Sequence, residues 1–401
     1  MSDSPPNILP HDRLPVLFWS QLLSLVVTIA AAGCPDYASF TAMRTLQGFF
    51  GAPPQVIGMS IIHDMFFFHE RARKINIWAA SFLIGPYLGP FISGLLAIRL
   101  NWRENFGVLA GFYAFSTLMV VFFGDETLFE REGLDKVDTT KAVTGTRRPF
   151  SLKRHISALI GIEGFKNRAG RPGLWTVFWH MCELLVRPYV FLPCVFFVMP
   201  ITMWLIGMVA TISQFVLPPV IAGGYGFSYL ALSMLYFAPM IGTLLGEAWG
   251  HWFNDFIAHR YMARLGLEVR LAACYPAVLI GAAGLVLFGQ TLDKHLSWVG
   301  LAFGWAMLCF GSLANMVAIS TYLLDCLPQH AALAGAWLNF WRVIGGFTVT
   351  YFQMVWVRRN GPGLSFGSQA IITVGAALAI VATQIWGKRW RNRFPAPAAE
   401  N

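Results

Sequence analysis

Two arginines in apolar runs are the groups in this sequence whose chemistry most needs an explanation. Arg44 lies in MRTLQGFFGAPPQ, and Gln47 and Gly48 follow it by three and four residues, which puts all three on one helical face. An ionised side chain in lipid costs several kcal/mol unless it has a partner or a water-filled cavity. Held there, a guanidinium can bind a carboxylate, a substrate or a proton-coupling network. The other reading of Arg44 is a side chain that reaches the outer headgroups from near a span end. Asn339 and Arg342 form a similar pair, three apart in AWLNFWRVIGG. Tyr322 and Asp325 are also one turn apart, where Asp325 equally suits an exit from the membrane. Gln214, Asn315 and Gln353 either line a cavity or hydrogen-bond between helices.

Two further patterns concern packing. In IGPYLGPFISG, the pairs Gly85-Pro86 and Gly89-Pro90 and then Gly94 recur every four or five residues, which predicts a bent helix with a small-residue stripe against a partner helix. In GTLLGEAWGHWFNDF, Gly242, Gly246 and Gly250 repeat every four residues among the polar Glu247, His251 and Asp255. His251 and Asp255 have the spacing of an acyltransferase signature, but no second catalytic element accompanies them. The chain has no GxSxG elbow, no Walker lysine loop and no HExxH. No enzyme chemistry and no ATP hydrolysis are therefore expected, and transport would run on an ion gradient. The six cysteines are scattered, without Cys-x-x-Cys pairs, so neither a metal site nor a disulfide framework is expected, and no cofactor.

The elements that must position these residues are membrane helices. Only 12% of the 401 residues are charged and 56% are apolar, far from the composition of a soluble domain. The apolar residues come in runs of about 20, the length that crosses a ~30 Å hydrocarbon layer, where the backbone must be helical. Ten spans are predicted, at 15–33, 38–62, 75–97, 104–123, 189–211, 228–250, 271–290, 297–324, 333–355 and 366–387. The opening MSDSPPNILPHDRL lacks the features of a cleaved leader, so the first run is read as a retained span. With the N-terminus in the cytoplasm, only Arg99, Arg103, Lys294, Arg358 and Arg359 fall outside, while eleven Lys and Arg fall in the central interruption alone. This is the positive-inside pattern, and it assigns the net charge of +9 to loops facing anionic lipid rather than to a nucleic-acid surface.

These runs together resemble the major facilitator superfamily, in its fungal drug:proton antiporter-like branch. RTLQGFFGAPP is similar to that family's fourth-helix motif, whose arginine would be Arg44, with Gln47 and Gly48. GPYLGPFISG is similar to its antiporter fifth-helix motif, carried by Gly85, Pro86, Gly89, Pro90 and Gly94. LGEAWGHWFNDF, with Gly246, Glu247, Gly250 and Asp255, resembles a cytoplasmic-loop motif; LEVRL (267–271), the Tyr322/Asp325 stretch and LNFWRVIGGF follow in the family's order. The family fold has twelve spans in two halves, whereas four are read here before the central loop and six after it, as though the first two helices were absent. The resemblance implies an all-α membrane fold divided into a short cytoplasmic N-terminus (1–14), an incomplete four-helix N-terminal bundle (15–124), a central cytoplasmic loop (125–188), a six-helix C-terminal bundle (189–387) and a cytoplasmic tail (388–401). It further implies proton-coupled efflux of a small organic molecule such as a drug or secondary metabolite, by a monomer in the plasma membrane, with the vacuolar membrane as the alternative. Uptake of a nutrient or organic cation by the same fold, and a truncated non-transporting remnant, are the competing readings. Candidate proton-coupling or substrate residues are Arg44, Gln47, Tyr322, Asp325, Asn339 and Arg342.

Overall fold

Apolar side chains on every face and a backbone that lipid cannot hydrogen-bond leave the helix as the local solution. Every described element of this computed structural model is accordingly helical; the structure describes residues 13–55, 57–58, 61, 84–124, 157, 159–161, 174–219, 224–327 and 331–395. In chain order the helices are α1 (Arg13–Gly33), α2 (Tyr37–Gly51), α3 (Ile84–Leu96), α4 (Trp102–Phe123), α5 (Leu174–Val186) and α6 (Pro188–Val216). They continue as α7 (Tyr229–Leu235), α8 (Phe237–Leu265), α9 (Cys274–Asp293), α10 (Trp298–Cys326), α11 (Ala331–Asn360) and α12 (Pro362–Arg393). Among the described residues, seven helical stretches are long and apolar enough to cross a membrane: α1, α4, α6, α7 with α8 as far as Asn254, α9 with the 3-10 turn before it, α10 and α12. The protein is an integral, multi-pass membrane protein. Of the other expected spans, α11 is 30 residues long but carries Asn339 and Arg342, while 38–62 and 75–97 are described only in part.

The chain divides into two compact units, one of residues 1–67, 101–180 and 398–401, the other of 68–100 and 181–397. In the first, α1 packs on α2 and α4. Asp36 caps α2, accepting the Ser39 N–H at 3.0 Å and the Ser39 hydroxyl at 2.8 Å. Those bonds hold its carboxyl below the usual carboxylate range. Arg103, at the start of α4, donates to the Cys34 carbonyl at 3.0 Å and so ties α4 to the α1–α2 turn.

In the second unit α10 packs against α8 and α9, α9 against α12, and α6 against α11. Glycine sets the closest of these contacts. A Cβ on Gly242 would stand 2.2 Å from the Ala306 carbonyl oxygen, and one on Gly246 2.8 Å from that of Phe310, so α8 meets α10 backbone to side. Gly281 and Gly284 of α9 meet Gly311 and Gly304 of α10 in the same way. Trp204, Trp305, Phe288 and Phe366 fill the core between these stripes. α6 begins with Pro188 and passes through a π-helical segment at Leu192–Val198, where Pro193 supplies no backbone donor.

Two stretches differ in form from the sequence expectation. LGEAWGHWFNDF, read partly within the span 228–250 and partly as a cytoplasmic-loop motif, runs as continuous helix within α8, with Gly246 and Gly250 packed on α10. Within the stretch read as the central loop, residues 174–186 form α5, while 125–156 lie outside the described residues.

Candidate functional site

Arg44 stands on an exposed face of α2, in the first unit. Its Nη1 donates to Gln47 Oε1 at 2.5 Å, and its guanidinium carbon sits 5.5 Å from the centre of the Phe106 ring. Gln47 is buried, and its Nε2 donates to Thr28 Oγ1 on α1 at 2.7 Å; the Thr28 hydroxyl in turn donates to the Ser24 carbonyl at 2.6 Å. The i, i+3 spacing read from the sequence thus becomes a hydrogen-bonded chain from an accessible cation into the α1–α2 contact. Gly48, one position on, is exposed, and a Cβ there would meet no atom within 4 Å among the described residues. A guanidinium has five donors, of which this geometry commits one to Gln47. Among the described residues, the arrangement is a fixed positive group with donors to spare for an anionic ligand. An aromatic cup of about 460 Å³, formed by Tyr37, Phe40, Trp102 and Phe106 with Asp36, lies beside it, Phe106 belonging to both.

The second unit holds the other arginine. Arg342 is buried in α11, and its Nε and Nη2 donate to Asn339 Oδ1 at 3.3 and 2.8 Å. The Tyr87 hydroxyl of α3, in the same unit, lies 3.2 Å from Cys309 Sγ. Tyr87, Phe91 and Gly94 form the packed face of α3: Tyr87 meets Trp305 edge-on, Phe91 meets Phe237 at 4.8 Å, and a Cβ on Gly94 would strike Ser233 Oγ. Gly85, Pro86 and Gly89 are exposed and Pro90 is half-buried, with nothing within 4 Å of a Cβ on Gly85 or Gly89 among the described residues. The single stripe expected from the sequence is therefore two faces. The five-residue step from Gly89 to Gly94 turns about 140° round an α-helix, whereas the four-residue step from Gly85 turns only about 40°.

Tyr322 and Asp325 do not pair with each other. Asp325 Oδ2 accepts from Arg270 Nε at 2.5 Å, and Arg391 Nη1 of α12 stands 2.6 Å from Glu268 Oε1. Arg391 also donates to Cys326 Sγ at 3.3 Å. Tyr322 is wholly buried, and its hydroxyl and Glu268 Oε1 both converge on Gly387, where a Cβ would stand 3.1 Å from each. These residues clamp the ends of α10 and α12 to the 3-10 turn before α9. Sequence reasoning missed Glu268, Arg270 and Arg391 as a site, although LEVRL carried the signal of two charges among apolar residues. Glu247 has one carboxylate oxygen buried and without a hydrogen-bond partner among the described residues, and the Asp255 side chain lies outside them. Of the amides, Gln214 is exposed, Asn315 is buried, and the fully buried Gln353 fills the notch left by Gly207 on α6. The six cysteines are free, and among the described residues no cluster of ligands could hold a metal.

The chain is similar to known proteins over most of its length. Efflux pump radE of Floropilus chiversii is 25% identical over 398 residues, covering 95% of this chain and 69% of that protein. Efflux pump FUB11 of Gibberella fujikuroi is 23% identical, covering 80% of this chain and 54% of that protein. Among solved structures, the xylose transporter XylE from E. coli in a partially occluded inward-open conformation superposes with a TM-score of 0.57 at 14% identity, over 92% of this chain and 80% of that one, which shows a shared fold. The sequence pattern of the Major Facilitator Superfamily matches residues 11–350, and the chain belongs to that family of transporters.

Proposed function

We propose that this transporter exports a small organic molecule in exchange for protons, acting as a monomer in the plasma membrane. The observation that supports this reading best is the Arg44–Gln47–Thr28 chain. Arginine does not give up its proton at physiological pH, so Arg44 acts as a fixed charge. It stabilises the ionised form of a carboxylate brought to it and releases that group when a proton neutralises it. The guanidinium and a proton then compete for one carboxylate, so that binding to Arg44 and protonation exclude each other, which is the elementary requirement for coupling. The amide of Gln47, bonded on both sides, holds the guanidinium in one orientation and would keep it there while its partner changes charge. The names of radE and FUB11 as efflux pumps support the outward direction. The aromatic cup beside Phe106 suits an apolar solute that bears rings.

The test is accumulation of a panel of fluorescent apolar dyes in cells expressing the chain, with and without a protonophore. Expressing cells are expected to hold several-fold less of at least one dye, and the protonophore to abolish the difference. Arg44→Ala is expected to restore the control level while the amount of protein in the membrane stays unchanged. Equal accumulation of every dye in expressing and control cells overturns the reading, and higher accumulation in expressing cells replaces it with uptake.

A further inference from the structure

The helix α5 leaves an aromatic face uncovered. Trp175, Phe178, Trp179 and Val186 are 75%, 52%, 63% and 76% exposed, with the half-buried Cys182 between them. Their spacing places all five within an arc of about 100° on an α-helix. The Trp175 and Phe178 rings stack at 5.6 Å, which makes the face a continuous aromatic plate. The C-terminal part of the helix is docked. Leu184 is wholly buried, and the Trp337 indole N–H of α11 donates to the Met181 carbonyl at 2.8 Å.

Geometry and charge identify what covers the plate. Thirteen residues of helix measure about 20 Å, too short to cross ~30 Å of hydrocarbon. Arg187 then adopts an extended conformation (φ −64°, ψ 122°), and Pro188 opens α6, whose 29 residues do cross. A single extended residue between a short helix and a span is what a chain needs to turn from the membrane plane into its normal. The sequence that leads into α5, residues 147–173, carries seven Lys and Arg against the one acid Glu163. Within α5 the sole acid, Glu183, is neutralised by Arg187 at 2.6 Å. Exposed tryptophans beside an excess of positive charge fit the headgroup layer of an anionic leaflet, where indole rings rest at the boundary of water and acyl chains.

We propose that α5 lies in the headgroup region of an anionic leaflet, on the side the positive-inside pattern assigns to the cytoplasm, with Trp175, Phe178 and Trp179 against lipid. The full chain in nanodiscs tests this. A nitroxide is placed on Cys182 and, in a Cys182→Ser background, on Trp179→Cys, in phosphatidylcholine with and without phosphatidylserine. Collisions with oxygen are expected to exceed those with a water-soluble nickel chelate several-fold at both sites, and the excess to grow when phosphatidylserine is added. Dominant access by the chelate shows a solvated face and overturns the proposal. Protection from both reagents shows a face covered by protein and overturns it equally. An excess of oxygen collisions that is indifferent to phosphatidylserine removes the anionic lipid from it. A benzophenone amino acid at position 179 provides a check that leaves every cysteine in place. Its cross-link is expected to add the mass of one phospholipid, and a cross-link to polypeptide contradicts the assignment.

Discussion

Arg44 and Arg342 carry the same charge among membrane helices, and their surroundings differ. Arg44 is exposed and braced through Gln47 and Thr28, whereas Arg342 is buried and donates from Nε and Nη2 to Asn339. The first arrangement leaves donors available to a ligand, and the second is part of the packed interior. The Glu268–Arg391 pair is a third case, in which two opposite charges with side chains only 5% and 19% exposed hold helix ends together. Breaking such a pair on one side leaves an uncompensated charge, at about 3 kcal/mol. Glu268→Gln is therefore expected to lower the thermal stability of the detergent-solubilised protein by about that amount. Glu268→Leu combined with Arg391→Met is expected to recover most of the loss, because an apolar pair leaves no charge behind. Equal stability of Glu268→Gln and the parent, in a melting experiment, contradicts the clamp.

At the scale of elements, glycine spacing distinguishes packed helices from those facing outward. Gly242, Gly246 and Gly250 keep a strict four-residue step and all meet α10, so their contact was legible in the sequence. Gly85, Gly89 and Gly94 break that step once, and the helix geometry sends Gly94 to the packed side alone. Gly242→Ala places a methyl 2.2 Å from a backbone oxygen that has nowhere to go, and is expected to cost about 1–3 kcal/mol. Gly375→Ala on α12, where a Cβ would meet no atom within 4 Å among the described residues, is the matched control and is expected to change stability little. Similar melting temperatures for the two variants would remove the close α8–α10 contact from the account. The helix α5 was not legible as an element. Its LWTVFWHMCELLV is too short for a span and follows a strongly basic stretch, so the hydropathy pattern places it in a loop.

For the whole molecule, the fold was readable because lipid leaves so few alternatives. Runs such as 104–123 and 297–324 have the length, composition and flanking charge of spans, and the helices Trp102–Phe123 and Trp298–Cys326 lie over them. What joins helix to helix was less readable. The pairing of Asp325 with Arg270, or of Gln353 with the notch at Gly207, links positions 55 and 146 residues apart, and nothing local in the sequence marks either. The family follows from the matched length, while the proposed proton coupling rests on the geometry around one arginine and the proposed outward direction on the names of the efflux-pump relatives.

Proton flux is the property that tests this account most directly. The purified chain would be reconstituted into liposomes loaded with a pH-sensitive dye and given a gradient of a transported solute in the absence of any imposed pH gradient. The account predicts that solute movement drives protons the opposite way, and that Arg44→Ala abolishes this movement while orientation and protein content remain unchanged. Solute that crosses with no proton movement, or proton movement that survives Arg44→Ala at full rate, would contradict it.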